Sequence, residues 1–216
     1  MTTGLKTTPP EAAPRRRRGG LVCVLAAALW LSGNGVWAQA AAASFDLAAL
    51  MAQLAQRKSG EARFTEERTV TSFDYPLRSS GRLSFEAPDR FSRFTDEPRP
   101  ESMEVQGNEV LLKRGNRTRQ MALDSIPELA ALADAMRGTL NGDAQALRRH
   151  FKTQVSGNGQ RWVLLLTPID ARLARSVQQL EIAGTGADLR SIELRLAGGD
   201  RSLMLVEPLA ASAAPR

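Results

Sequence analysis

One cysteine, one histidine and one tyrosine are all that the 216 residues hold of those types, and aromatics make up only 5%. A zinc centre built on Cys and His therefore lacks its ligands. No run reaches the 18 or so consecutive apolar residues that a spanning helix requires. Lysine is scarce as well, with 3 beyond residue 40 against 21 arginines. Arginine suits planar anion contacts and cross-strand pairs, but a GC-rich coding sequence produces the same excess. What is present, 43% hydrophobic and 24% charged residues, is the composition of a folded globular chain.

The first forty residues read as an address label. Arg15 to Arg18 form a basic segment, Leu21 to Leu31 an apolar core, and Ala38-Gln39-Ala40 a small-x-small cleavage site, the pattern of a secretory signal peptide. A retained anchor fits less well, because the apolar core is short and runs into Ser32, Gly33 and Asn34. The arginine run is compatible with either general or twin-arginine export. The expected organisation is thus a leader over 1–40 and a single domain over 41–216, placed in the periplasm. Removing the leader lowers the net charge from +6 to +2, since it carries five basic residues and one acidic one. A strongly basic nucleic-acid-binding face is then unsupported. Cys23 lies inside the leader's apolar core, so the domain has no thiol.

Beyond residue 40 the pattern begins with a helix. Ser44 is placed to cap it, and Leu47, Leu50, Met51 and Leu54 make one apolar stripe. Short alternating strands follow. Gly81, Leu83 and Phe85 alternate with polar neighbours, as do Ile192, Leu194 and Leu196, while Trp162, Leu164 and Leu166 alternate with Val163 and Leu165. Gly107-Asn108, Gly157-Asn158-Gly159 and Gly198-Gly199-Asp200 punctuate them as hairpin turns. In the middle, Ser125 and Glu128 suggest a capping box before Leu129, Leu132 and Met136, and Asp143 opens a shorter helix bearing Leu147 and Phe151. The fold class expected is mainly β with helices, an incomplete antiparallel barrel or strongly curved sheet of nine to eleven strands. Amphipathic helices would cover its concave side. Such a shape either fills its interior with side chains or leaves an apolar cavity, and the pattern does not choose.

Catalytic groupings are sparse. His150 follows Arg148 and Arg149 at a helix end, with no nucleophile motif to serve, so an enzyme is not expected and no cofactor or metal is implied. Glu66-Glu67 and Asp96-Glu97 are neighbours in strand-like segments, so each pair splits across two faces and reads as solvated rather than as an acid–base dyad.

From Phe64 onward the chain resembles a known family. Ala62-Arg63-Phe64-Thr65-Glu66, Ser80-Gly81-Arg82-Leu83-Ser84-Phe85, Ala87-Pro88-Asp89-Arg90-Phe91, Asp96-Glu97-Pro98 and Gly107-Asn108-Glu109-Val110 look like the successive short motifs of the periplasmic outer-membrane lipoprotein carriers, the LolA-like family. The resemblance implies an apolar cavity for acyl chains, walled by Phe64, Leu83, Phe85 and Phe91 and covered by Leu50, Met51, Leu129, Leu132 and Met136. It also implies that the protein takes an acylated lipid or lipoprotein from an inner-membrane transporter and delivers it to an outer-membrane acceptor; a monomer is expected. Typical members carry an arginine before the proline that latches the helices; here that position is Ala87, which points to another acylated cargo such as a glycolipid or polyene ester. Burying ~15 methylenes would contribute up to about 12 kcal/mol before ordering costs. A second reading of the same fold is a regulatory domain that binds a protein partner or monitors envelope lipids.

Overall fold

In the computed structural model, residues 45–209 are described; the leader, Cys23 and Ser44 lie outside them. Eleven strands form one antiparallel, unclosed sheet in the order β6-β5-β4-β3-β2-β1-β11-β10-β9-β8-β7. They are β1 (Ser59–Thr69), β2 (Leu77–Glu86), β3 (Arg90–Glu97), β4 (Glu101–Gln106), β5 (Glu109–Arg114), β6 (Arg117–Ala122), β7 (Phe151–Gly157), β8 (Trp162–Pro168), β9 (Val177–Thr185), β10 (Asp188–Leu196) and β11 (Arg201–Pro208). Every neighbour but one is the next strand in sequence, as a chain of tight turns dictates. The exception is β1 against β11, in register from Ala62 opposite Pro208 to Thr69 opposite Arg201. That single long-range pairing joins the two halves. The glycine punctuation falls where its turn chemistry requires: Gly107 and Gly198 stand between consecutive strands, and Gly157 is the last residue of β7 before the turn into β8.

Three helices, α1 (Leu47–Leu54), α2 (Pro127–Asn141) and α3 (Ala144–His150), lie on one face of the sheet. The side chain capping α1 is Asp46, whose carboxylate accepts from Ala49 N at 2.9 Å, because the helix begins at Leu47, too far along the chain for a Ser44 cap. The capping box at α2 does not form either. Ile126 takes the cap position without a side-chain bond, and the Ser125 hydroxyl donates instead to Ala122 O at 2.5 Å; the Glu128 side chain lies outside the described residues. Asp143 caps α3 as its position suggested, through Gln145 N and Ala146 N. Phe151 is the first residue of β7 rather than part of α3.

The helices fill one half of the curved sheet. Leu50, Leu54 and Leu147 pack with Trp162, Leu164, Leu166 and Ile182, all of them 2% exposed or less. The Trp162 indole donates to Gly186 O at 2.8 Å, so its polar atom enters the core satisfied. Gly142 ends α2 with φ +70°, and a Cβ there would stand 2.2 Å from Met51 O. Only glycine permits that turn and that approach of α1 to α2. A smaller cluster of Val105, Val110, Leu123 and Ala133 forms under the start of α2, joined by Leu129 and Met121. Ala131, Ala133 and Ala135 are buried, so the small side chains of α2 let it lie close to both clusters.

Candidate functional site

Between those two clusters the sheet and α2 do not meet. A cavity of about 250 Å³ remains, bounded by β1 to β4 on one side, β9 to β11 on the other and α2 above. Its walls follow from strand register, because residues paired directly across a ladder share a face. Ala62, Leu83, Arg93 and Met103 form one continuous row across β1 to β4, and Phe85 and Phe91 stand opposite each other in the next. Ile192, Leu194, Met204 and Val206 supply the far wall, and Leu132, Met136 and Leu140 of α2 the cover. Nearly all of the lining is hydrocarbon, so water gains few partners inside while an apolar guest loses little.

Of the nine residues that the sequence suggests for this site, Leu83, Phe85, Phe91, Leu132 and Met136 line the cavity. The other four stand elsewhere. Leu50 and Met51 belong to the filled core beneath α1, Leu129 packs in the cluster at β4 and β5, and Phe64 is 1% exposed. The C-terminal wall was not assigned from sequence, although Ile192 and Leu194 had shown the right alternation. Alternation tells which face is covered, not whether the cover touches it.

Two ion pairs mark opposite ends of this space. Arg57, just past α1, meets Asp188 at 2.6 Å, and Asp188 also holds Arg190 at 3.3 Å. At the other end Arg93 lies over the Phe64 ring, 4.6 Å from its centre, and reaches Glu66 at 2.5 Å. Glu66 is therefore not solvated as its sequence suggested. Its carboxylate faces inward with Phe64 and also accepts from Ser79 Oγ at 3.0 Å and Ser202 Oγ at 2.5 Å. Burial alone would raise its pKa, but the Ser202 hydroxyl, the Arg93 charge and the Ser79 hydroxyl together outweigh that and hold it below the usual carboxylate value. Glu67, on the opposite face, pairs with Arg78 at 3.1 Å in solvent.

The cover is tied down by its own side chains. Asn141 of α2 donates to Pro88 O at 2.5 Å in the turn after β2, and Arg137 donates to Gly107 O in the turn after β4. The Arg137 Nε is buried without a hydrogen-bond partner, a polar atom whose desolvation nothing offsets. Asp134 lies between Arg137 at 3.6 Å and His150 at 3.2 Å, so the one histidine joins α2 to α3. Ala87, standing where an arginine latch was expected, makes a backbone bond to Lys58 O at 2.8 Å.

A model of the family described as "Outer membrane lipoprotein carrier protein LolA-like" matches residues 39–216. The chain belongs to that family. Among solved structures, a LolA superfamily protein from Nitrosomonas europaea is 10% identical with a TM-score of 0.42, covering 79% of this chain and 95% of that one. A DUF1329 family protein from Desulfovibrio piger is 9% identical with a TM-score of 0.41, covering 78% and 92%. MucB of Pseudomonas aeruginosa, solved with MucA, is 15% identical with a TM-score of 0.34, covering 78% of this chain and 59% of that one. A comparison with curated proteins finds no match.

Proposed function

We propose that this LolA-like protein is a non-catalytic envelope carrier that shields the acyl chain of a lipoprotein or other acylated lipid and passes it toward the outer membrane. One observation supports this above the others: the helices pack solidly on the β7–β9 end of the sheet and α2 packs again on Val105 and Val110, yet between these two clusters α2 stands off the sheet over an apolar space of about 250 Å³. A dry engineered cavity of about 150 Å³ takes the six carbons of benzene. By that proportion this one takes about ten methylenes, worth up to about 8 kcal/mol before ordering costs. A longer chain needs α2 to move outward.

Movement of α2 is what makes release possible. The helix exchanges its own contacts through Leu132, Met136 and Leu140 for contacts of the guest, so net affinity stays below the full burial value. Two side-chain hydrogen bonds, from Arg137 and Asn141 to turn carbonyls, hold the closed state at about 1 kcal/mol each. They reverse the direction expected from the family pattern, running from helix to sheet. The unbranched Met136 and Met204 suit a guest of irregular shape. Delivery from an inner-membrane transporter to an outer-membrane acceptor belongs to the same reading.

The test is binding of a fluorescent fatty acyl ester to the protein. Saturable binding that Leu132→Glu or Phe91→Glu abolishes, in variants that still fold, is the expected result. Binding indifferent to both substitutions contradicts it. Recovery of a stable protein partner with no bound lipid would favour the regulatory reading instead.

A further inference from the structure

We infer that the cargo is an anionic amphiphile whose head group sits on Arg117 and Arg119 while its tail enters the cavity. This rests on the acyl-chain reading and names the chemistry at the other end of the guest. Strand register carries the argument. The row that lines the cavity does not stop at Met103; it continues through Leu112 of β5 to Arg119 of β6. The next row runs from Thr95 through Glu101 and Arg114 to Arg117. Residues in one row share a face, and strands lie about 4.8 Å apart, so the Arg119 backbone is roughly 10 Å from that of Met103. The inner face thus grades from hydrocarbon, across Leu112, to a group of three guanidiniums at the open edge of the sheet.

The charge there is not balanced. Glu101 pairs with Arg114 at 2.7 Å, and among the described residues neither Arg117 nor Arg119 makes an ion pair. The other inward-facing ion pair nearby, Arg93 with Glu66, is closed on itself. Lys113 and Glu104 neutralise each other on the opposite face of the same strands. The alternative positive end has a smaller excess, since Arg57 and Arg190 share the one carboxylate of Asp188, whereas Arg114, Arg117 and Arg119 have only that of Glu101 between them. A phosphate or carboxylate matches the forked guanidinium better than a neutral head does, because two of its oxygens accept in parallel.

The probes are dodecyl phosphate, dodecanol and inorganic phosphate, each used to displace a neutral fluorescent acyl ester from the whole protein at low salt. Dodecyl phosphate is expected to displace at a concentration roughly tenfold below dodecanol, the effect of one partly exposed charge-assisted hydrogen bond. Arg117→Gln with Arg119→Gln should erase that preference while the dodecanol midpoint stays put, and Arg57→Gln should leave it intact. Both arginines are exposed, so the double variant should keep its thermal midpoint. A preference that survives the double variant, or that Arg57→Gln removes, overturns the inference. So does equal displacement by both dodecyl probes, which leaves the cavity reading standing. Displacement by inorganic phosphate alone would show a free-anion site and overturn it too. If neither dodecyl compound displaces, the acyl-chain reading fails first and this inference with it.

Discussion

Replacing Ile192 by phenylalanine separates a cavity kept for a guest from a packing defect. Ile192 stands on β10 between Ile182 and Met204, half-buried on the cavity wall. Phenylalanine adds three carbons to a space with room for about ten, so the wild-type void should accept it without the 1–3 kcal/mol cost of overpacking. Those carbons are worth about 2.4 kcal/mol of burial, which the folded protein gains and the guest loses. The acyl ester should therefore bind roughly sixtyfold more weakly, while urea denaturation shows stability equal to or above wild type. Fluorescence titration and equilibrium unfolding on the same sample read both quantities. Unchanged affinity would refute the reasoning, as would lost affinity accompanied by lost stability, since the second outcome means the site was already full.

Three further perturbations probe the parts around the cavity. Asn141→Ala removes the α2 bond to Pro88 O and should cost about 1 kcal/mol, with faster amide exchange in α2 and faster acyl-chain release; unchanged exchange would count against the latch. Glu66 has a lowered folded pKa, so its contribution to stability is present above its ordinary value of 4.5 and is lost as pH falls through the folded value. Glu66→Gln should accordingly flatten the fall in stability below about pH 4.5, and urea midpoints that track wild type at every pH would contradict that. Gly142→Ala forces a Cβ to 2.2 Å from Met51 O at φ +70°, and should cost more than about 1 kcal/mol in a thermal melt; a neutral result would mean α1 is free to shift.

The sheet was legible because its strands alternate and its turns are spelled in glycine and asparagine. Local signals place Gly107-Asn108 or Gly198-Gly199-Asp200 without reference to the rest of the chain. The closure of β1 on β11 was not legible, since nothing near Phe64 announces Val206 as its partner. Half of the cavity followed from family resemblance at Leu83, Phe85 and Phe91. Its C-terminal half did not, because Leu164 over the filled core and Leu194 over the void carry the same alternation. Glu66 misled for a related reason. Two adjacent glutamates look equally wet in a sequence, but only one of them faces Ser79, Arg93 and Ser202 across neighbouring strands. The helix caps at Asp46 and Ile126 were missed by a residue or two, where several polar side chains compete for one terminus.

Methionine methyl resonances report directly on where an acyl tail goes. Met103, Met136 and Met204 line the cavity, whereas Met51 lies in the filled core and Met121 beneath the start of α2. Titrating the methyl-labelled protein with an unlabelled fatty acid should give intermolecular NOEs, which report direct contact only, from its terminal methyl to the first three signals and none to Met51 or Met121. NOEs to Met51 or Met121 instead, or none to any of the five while the fatty acid binds, would place the tail outside the cavity and contradict the account.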